Sequence, residues 1–278
     1  MNWRSDGFSG LRMISRTLIG ALCATLCNLP AVAAPPLATL NAFDRYTAVV
    51  EDRIRSDSST ANFLRVLPDE SKRARARRGE VLVESAQVLG VRPDTAIPKG
   101  QVQHWVAAAF LPDATIAGVL PRLQNYNNRS RYMNPEIIQS RLKSRRGDVF
   151  QVYLRLVEKA ILSGVFDLDL RVVYRTEGLD RLSIESRSMS VVAVSDASAP
   201  VGSAAKDPGL LWALNHYWRI LQSDGGVYVE CEALVLSRTT PLVLGWIARP
   251  VIAGAARESL IKTVRATIRI MNSPEAVD

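Results

Sequence analysis

Apolar and polar residues alternate with a period of two along the second half of the chain. Over 149–161, Phe150, Val152, Leu154 and Leu156 fall on one side, with Gln151, Tyr153, Arg155 and Lys159 on the other. Over 164–176, Phe166, Leu168, Leu170, Val172 and Tyr174 oppose Asp167, Asp169, Arg171 and Arg175. That period predicts strands, here at about 136–145, 149–161, 164–176, 180–195, 210–222 and 226–237. Turn chemistry separates them at Arg146-Gly147-Asp148, Ser163-Gly164, Glu177-Gly178-Leu179-Asp180 and Asp224-Gly225-Gly226. Clean alternation implies one covered and one wet face, which suits antiparallel hairpins and excludes a doubly wound parallel sheet. The stretch 196–209, rich in Ala, Ser, Gly and Pro, is a longer loop.

Other periods flank this block. Ala42, Tyr46, Val49, Val50 and Ile54 lie close to helical spacing and predict a helix from about Leu40 to Arg55. Val81 to Val83 suit a short strand and Gln101 to Leu111 a longer one, stopped by Pro112. Asp113 is placed to cap a helix from Ala114 carrying Ile116, Val119, Leu120 and Leu123. A polar stretch with tyrosines follows, Gln124 to Asn134, and suits a further short helix. A last helix is expected from near Pro241 to about Met271, interrupted at Arg249-Pro250. Its apolar portion, Pro241 to Ala256, is too short and too broken to span a bilayer. The expectation is an α+β fold in which a curved antiparallel sheet of six or seven strands wraps a long C-terminal helix. One helix cannot fill such a concavity, so the remaining volume holds either large side chains or a pocket.

The first residues change the expected compartment. Arg12 and Arg16 precede an apolar run from Leu18 to Leu26, then Asn28, Pro30 and the small-residue site Ala31-Val32-Ala33. This is a secretory signal pattern, with Met1 or Met13 as its start and cleavage after Ala33. The expected organisation is signal peptide 1–33, N-terminal helical extension 34–99 and a main domain 100–278, exported to the periplasm or secreted. Cys23 and Cys27 would leave with the signal, so Cys231 could form no internal disulfide. It alternates with Val229, Ala233 and Val235 and suits a buried small hydrophobe. The net charge of +8 favours anionic surfaces without choosing among them. Basic residues are dispersed except for one cluster, so no nucleic-acid partner is expected. The cluster, Lys72, Arg73, Arg75, Arg77 and Arg78, is a candidate for an anionic membrane surface, or else a solvated face.

Strand, two short helices, strand meander and long final helix together resemble the START-like (SRPBCC) helix-grip superfamily, which includes coenzyme-Q-binding and polyketide-cyclase branches. The resemblance covers about 100–272. It rests on the helix pair after Pro112, on the hairpin Leu211-Trp212-Ala213-Leu214-Asn215-His216-Tyr217-Trp218-Arg219 with Gly225-Gly226-Val227-Tyr228-Val229-Glu230-Cys231-Glu232, and on Gly245-Trp246 leading into Arg257-Glu258-Ser259-Leu260. The hairpin and the run into the last helix are similar to those of exported bacterial members. The resemblance implies a tunnel for an apolar ligand between sheet and last helix; it implies no fixed catalytic residues.

Chemistry-bearing groups are sparse. His104 and His216 are the two histidines, and their separation fits no zinc spacing, so neither metal nor cofactor is expected. Asp167 with Asp169, and Glu230 with Glu232, pair carboxylates on what the alternation marks as the wet face, where cross-strand charge pairing accounts for them. No nucleophile elbow surrounds any serine. His216 alternates with Trp212, Leu214, Trp218 and Ile220, so it points inward, as a core histidine or as the polar group that orients a ligand. The candidate cavity wall is Leu154, Leu156, Phe166, Leu168, Leu170, Trp212, His216, Trp218 and Trp246. The functional expectation is an exported protein holding a lipid or other hydrophobic small molecule. The alternatives are a cyclase- or hydratase-type enzyme using His216 with Tyr217, Arg219 or an acid, and a non-catalytic envelope-interaction module.

Overall fold

The computed structural model describes residues 34–90, 96–158, 164–207, 209–239 and 245–274, with side chains in the last segment from 254 onward. The signal-peptide expectation for 1–33 lies outside these residues, and the site expectation for Trp246 lies outside the described side chains. Residues from Ala34 onward form one compact unit.

In chain order the elements are α1 (Leu37–Asp57), α2 (Glu70–Arg77), β1 (Leu82–Ser85), β2 (Gly100–Pro112), α3 (Ile116–Gln124), α4 (Arg129–Met133), β3 (Ile137–Arg146), β4 (Val149–Glu158), β5 (Gly164–Glu177), β6 (Arg181–Val194), β7 (Leu211–Ser223), β8 (Gly226–Arg238) and α5 (Gly245–Met271). All strand pairings are antiparallel, in the order β1-β2-β8-β7-β6-β5-β4-β3. Among the described residues the sheet thus has eight strands, one more than the upper expectation, because Leu82–Ser85 adds an edge beside β2.

Local chemistry explains most boundaries. The β7–β8 hairpin turns at Asp224 and Gly225, both at positive φ (56° and 75°), as a two-residue turn matched to strand twist requires. Thr115, not Asp113, caps α3, its hydroxyl accepting from the Gly118 N–H at 3.1 Å. Asp113 is instead in the left-handed region, φ 58°, as the chain leaves β2. Helix α5 runs unbroken through Arg249-Pro250; the proline removes one backbone bond without ending the helix. No described helix is long and apolar enough to cross a membrane.

The expectation of a wet outer face is overturned along one half of the sheet. Outward residues of β2, β7 and β8 are covered by residues 34–90. Phe43, Tyr46 and Val50 of α1 pack on Trp212, Tyr217, Leu234 and Leu236. Phe63, Leu64, Val66 and Leu67, in the connection after α1, pack with Ala76 of α2 on Val106, Ala108 and Tyr228. The N-terminal extension, expected to pack on the domain, forms an outer layer with its own apolar cores. Its signal was present: β8 carries apolar groups on both faces (Val227, Val229, Cys231, Val235 and Tyr228, Leu234, Leu236), the composition of a doubly covered strand.

Candidate functional site

On the concave side α5 makes its main sheet contacts with β2 and β8, and it also touches α3 and α4. The far half of the concavity, β4 to β6, is not among the strands that α5 mainly contacts. A cavity of about 180 Å³ lies there, walled by Leu154 and Leu156 of β4, Leu168, Leu170 and Val172 of β5, Ile184 of β6, His216 and Trp218 of β7, and Leu260 and Met271 of α5. That is more than ten times the ~10–15 Å³ needed to hold one water. Ala255, Ala256, Ser259 and Thr263 line it from α5, where small side chains keep the helix from filling the space.

The predicted wall residues divide. Leu154, Leu156, Leu168, Leu170, His216 and Trp218 come together on the cavity. Phe166 is fully buried in the same core but off the cavity, its ring packed beneath Gly209, where an added Cβ would meet it at 2.7 Å. Trp212 is a correction. The register with β8 shifts between Leu211 and Ala213, so a bulge reverses the facing upstream of Leu214. Leu211 enters the cavity and Trp212 packs under α1 on the opposite side of the sheet.

Sequence reasoning missed Arg129, which joins the wall together with Tyr126 and Met133. The Tyr126 and Tyr174 hydroxyls are 2.7 Å apart, and Tyr174 donates to the Leu123 carbonyl at 2.9 Å. Burial drives both phenols' pKa values up. Arg129 Nη2 donates to the same carbonyl at 2.7 Å, its guanidinium 4.3 Å from the Tyr126 ring centre. His216 makes no hydrogen bond among the described residues; burial, then the Arg129 charge, pushes its pKa down to about 4. The imidazole is neutral at pH 7. Ser237 Oγ and Thr267 Oγ1, both buried on the wall, also lack a partner among the described residues.

The partners expected for an enzyme are elsewhere. Tyr217 donates to Glu51 at 2.7 Å on the outer face, and Arg219 is locked between Glu230 and Glu232, each at 2.8 Å. These carboxylates are fully buried, against the expectation of solvation. Glu230 accepts from the Arg65 and Val66 N–H groups at 3.0 and 2.7 Å. Glu232 accepts from His104 Nε2 at 2.6 Å and from Arg53, and Tyr46 bonds His104 Nδ1. Burial would raise the Glu232 pKa, but His104, Arg219 and Arg53 outweigh it and hold it well below the carboxylate range. Glu230, where burial dominates over Arg219, is displaced upward. Burial also raises the Cys231 thiol far above its ordinary pKa, leaving an inert hydrophobe. The acid pair on β5 splits: Asp167 is held by Arg155 at 2.7 and 2.9 Å and by Tyr153 at 2.8 Å, while Asp169 meets Lys143 at 2.7 Å near the surface.

The basic run is largely spent within the fold. Lys72 pairs with Glu84 at 2.5 Å and Arg75 with Glu80. Arg77 pairs with Glu70 and, at 3.0 Å, with Asp224. Arg73 bonds the Leu67 carbonyl at 3.2 Å and faces the Tyr228 ring. Arg78 alone of the five makes no such contact among the described residues. No cluster of three or more metal-ligating side chains occurs among them either.

An antiparallel sheet of this order, closed by its last helix over a cavity, is a helix-grip architecture. No family model matches the sequence, and no curated protein does. Among solved structures the grip is similar to a STAR-related lipid transfer protein fragment from Xanthomonas axonopodis, at 14% identity over 64% of this chain and 97% of that one, TM-score 0.46. It is similar to the ZhuI aromatase/cyclase of Streptomyces sp. R1128, at 9% identity over 62% and 94%, TM-score 0.44. Human STARD10 matches at 11% identity over 73% and 81%, TM-score 0.42. At such values no ligand or activity passes from these proteins to this grip.

Proposed function

We propose that this chain is a non-catalytic binding protein that holds a lipid or other hydrophobic small molecule between its sheet and α5, and that it acts after export. The carrying observation is the cavity, its surface mostly apolar from leucines, Val172, Ile184 and Trp218, with Arg129, His216, Glu136, Glu158 and several hydroxyls among the lining. At about 25 cal/mol per Å² of buried apolar surface, such a wall gives useful affinity with few directional contacts. A general acid–base reading finds less support, because neutral His216 has no carboxylate or phenol bonded to it. Native mass spectrometry of the protein purified from its source is expected to show a co-purified apolar ligand; repeated absence of any would defeat the carrier reading. Export rests on Arg12, Arg16, the run Leu18 to Leu26 and Ala31-Val32-Ala33. N-terminal sequencing of the envelope fraction is expected to begin at Ala34, and an intact leader on cytoplasmic protein would overturn export alone.

A further inference from the structure

The two arginines buried deepest among the described residues are each answered by acid, whereas Arg129, half-buried on the cavity wall, is not. Arg155, 1% exposed, is clamped by Asp167, and Arg219, also 1% exposed, by two glutamates. Arg129 has no carboxylate within ion-pair distance among the described residues. Its Nε is buried without a partner, and Nη2 donates to the Leu123 carbonyl. A guanidinium half-buried against an apolar wall loses part of its hydration, and a carbonyl and an aromatic face return only some of what a carboxylate would. The Tyr126 and Tyr174 hydroxyls beside it are occupied by each other and by Leu123. His216, whose ring nitrogens have no partner among the described residues, supplies a second polar group on the same wall. A neutral imidazole offers one N–H donor and repels no anion. Arg129 and His216 thus place donors together on a mostly apolar chamber; Glu136 and Glu158 also line it, but no ion pair joins either of them to Arg129 among the described residues.

From this, and resting on the binding role proposed above, we infer that the ligand is an acidic amphiphile: its hydrocarbon occupies the leucine-lined chamber and its carboxylate is received by Arg129, with His216 as the neighbouring donor. A carboxylate meets the planar fork of an arginine with charge-assisted hydrogen bonds, which are about twice as strong as neutral ones.

Calorimetric titration of the full-length, delipidated protein at pH 7.5 with dodecanoate, methyl dodecanoate and dodecanol tests this. The hydrocarbon is constant and the head varies. Dodecanoate is expected to bind ~10-fold or more tightly than the ester or the alcohol, the scale of one charge-assisted bond. Arg129→Gln should abolish that preference while leaving ester binding in place, and Arg129→Lys should keep part of it. Equal affinity for acid and ester in the unmodified protein overturns the acidic-head inference and leaves the carrier role standing. Failure of all three to bind, with no apolar molecule co-purifying, removes the carrier role and the inference together. Should Arg129→Gln not fold, the acid–ester comparison and Arg129→Lys still decide.

Discussion

At the scale of single residues, the most consequential groups are the buried charges on the outer face of the sheet, because each has few substitutes. Arg155→Ala is expected to cost ~3–5 kcal/mol in chemical denaturation, since it strands buried Asp167 and frees the carbonyls of Ala197 and Ala199. Glu232 supplies a pH signature. Its native pKa lies below its unfolded value, so its contribution is full above the unfolded carboxylate pKa of about 4.3 and is lost as pH falls below it. Glu230, displaced upward, works in the opposite sense, so the Glu232 part must be isolated. Glu232→Gln should lower stability at pH 7 and flatten the rise of unfolding free energy between about pH 3 and 5; an unchanged slope would refute that assignment. His216 should show no titration between pH 5 and 8 in a histidine NMR series, given its pKa of about 4. These residues could be placed on a strand face from the alternation alone. That Glu230 and Glu232 are buried could not, because their partners arrive from Arg53, Arg65, Val66, His104 and Arg219, remote in sequence and near only after folding.

At the scale of elements, helix starts, strand lengths and hairpins followed closely from local pattern, and the departures have local causes. The bulge before Ala213 shows how one extra residue defeats a period-two argument: upstream of it the expected facing inverts, so Trp212 leaves the expected cavity and Leu211 enters it. The β7–β8 hairpin depends on Gly226, where a Cβ would meet the Leu111 carbonyl oxygen at 2.3 Å and the Phe110 ring at 2.6 Å. Gly226→Ala should therefore destabilise the protein by ~1–3 kcal/mol, read as a lowered denaturation midpoint. Helix α1 is bound through Phe43, 3% exposed, and Phe43→Ala should cost ~3–5 kcal/mol by the same measurement. A loss within a few tenths of a kcal/mol would mean that α1 does not stabilise the sheet.

At the scale of the whole molecule, the sheet is covered twice and unevenly. The N-terminal layer and α5 cover opposite faces of the same strands, β2 and β8 above all, and the opposite half of the concavity is left hollow. Filling that hollow should separate binding from folding. Ala256→Trp, at a half-buried small position of α5 facing the cavity, is expected to weaken apolar-ligand binding by ~10-fold or more with the melting temperature nearly kept. Undiminished affinity would place the ligand elsewhere. The sequence by itself determined the antiparallel strands, the final helix, the inward facing of Leu154, Leu156, Leu168, Leu170, His216 and Trp218, and the burial of Cys231. These depend on periods of two and 3.6 and on turn residues, all local. Only the tertiary structure decided which sheet face water reaches, which carboxylates lose their solvent, and that Arg129 lines the chamber without an ion pair among the described residues. Those outcomes depend on what packs against a surface, and a period records only which way a side chain points.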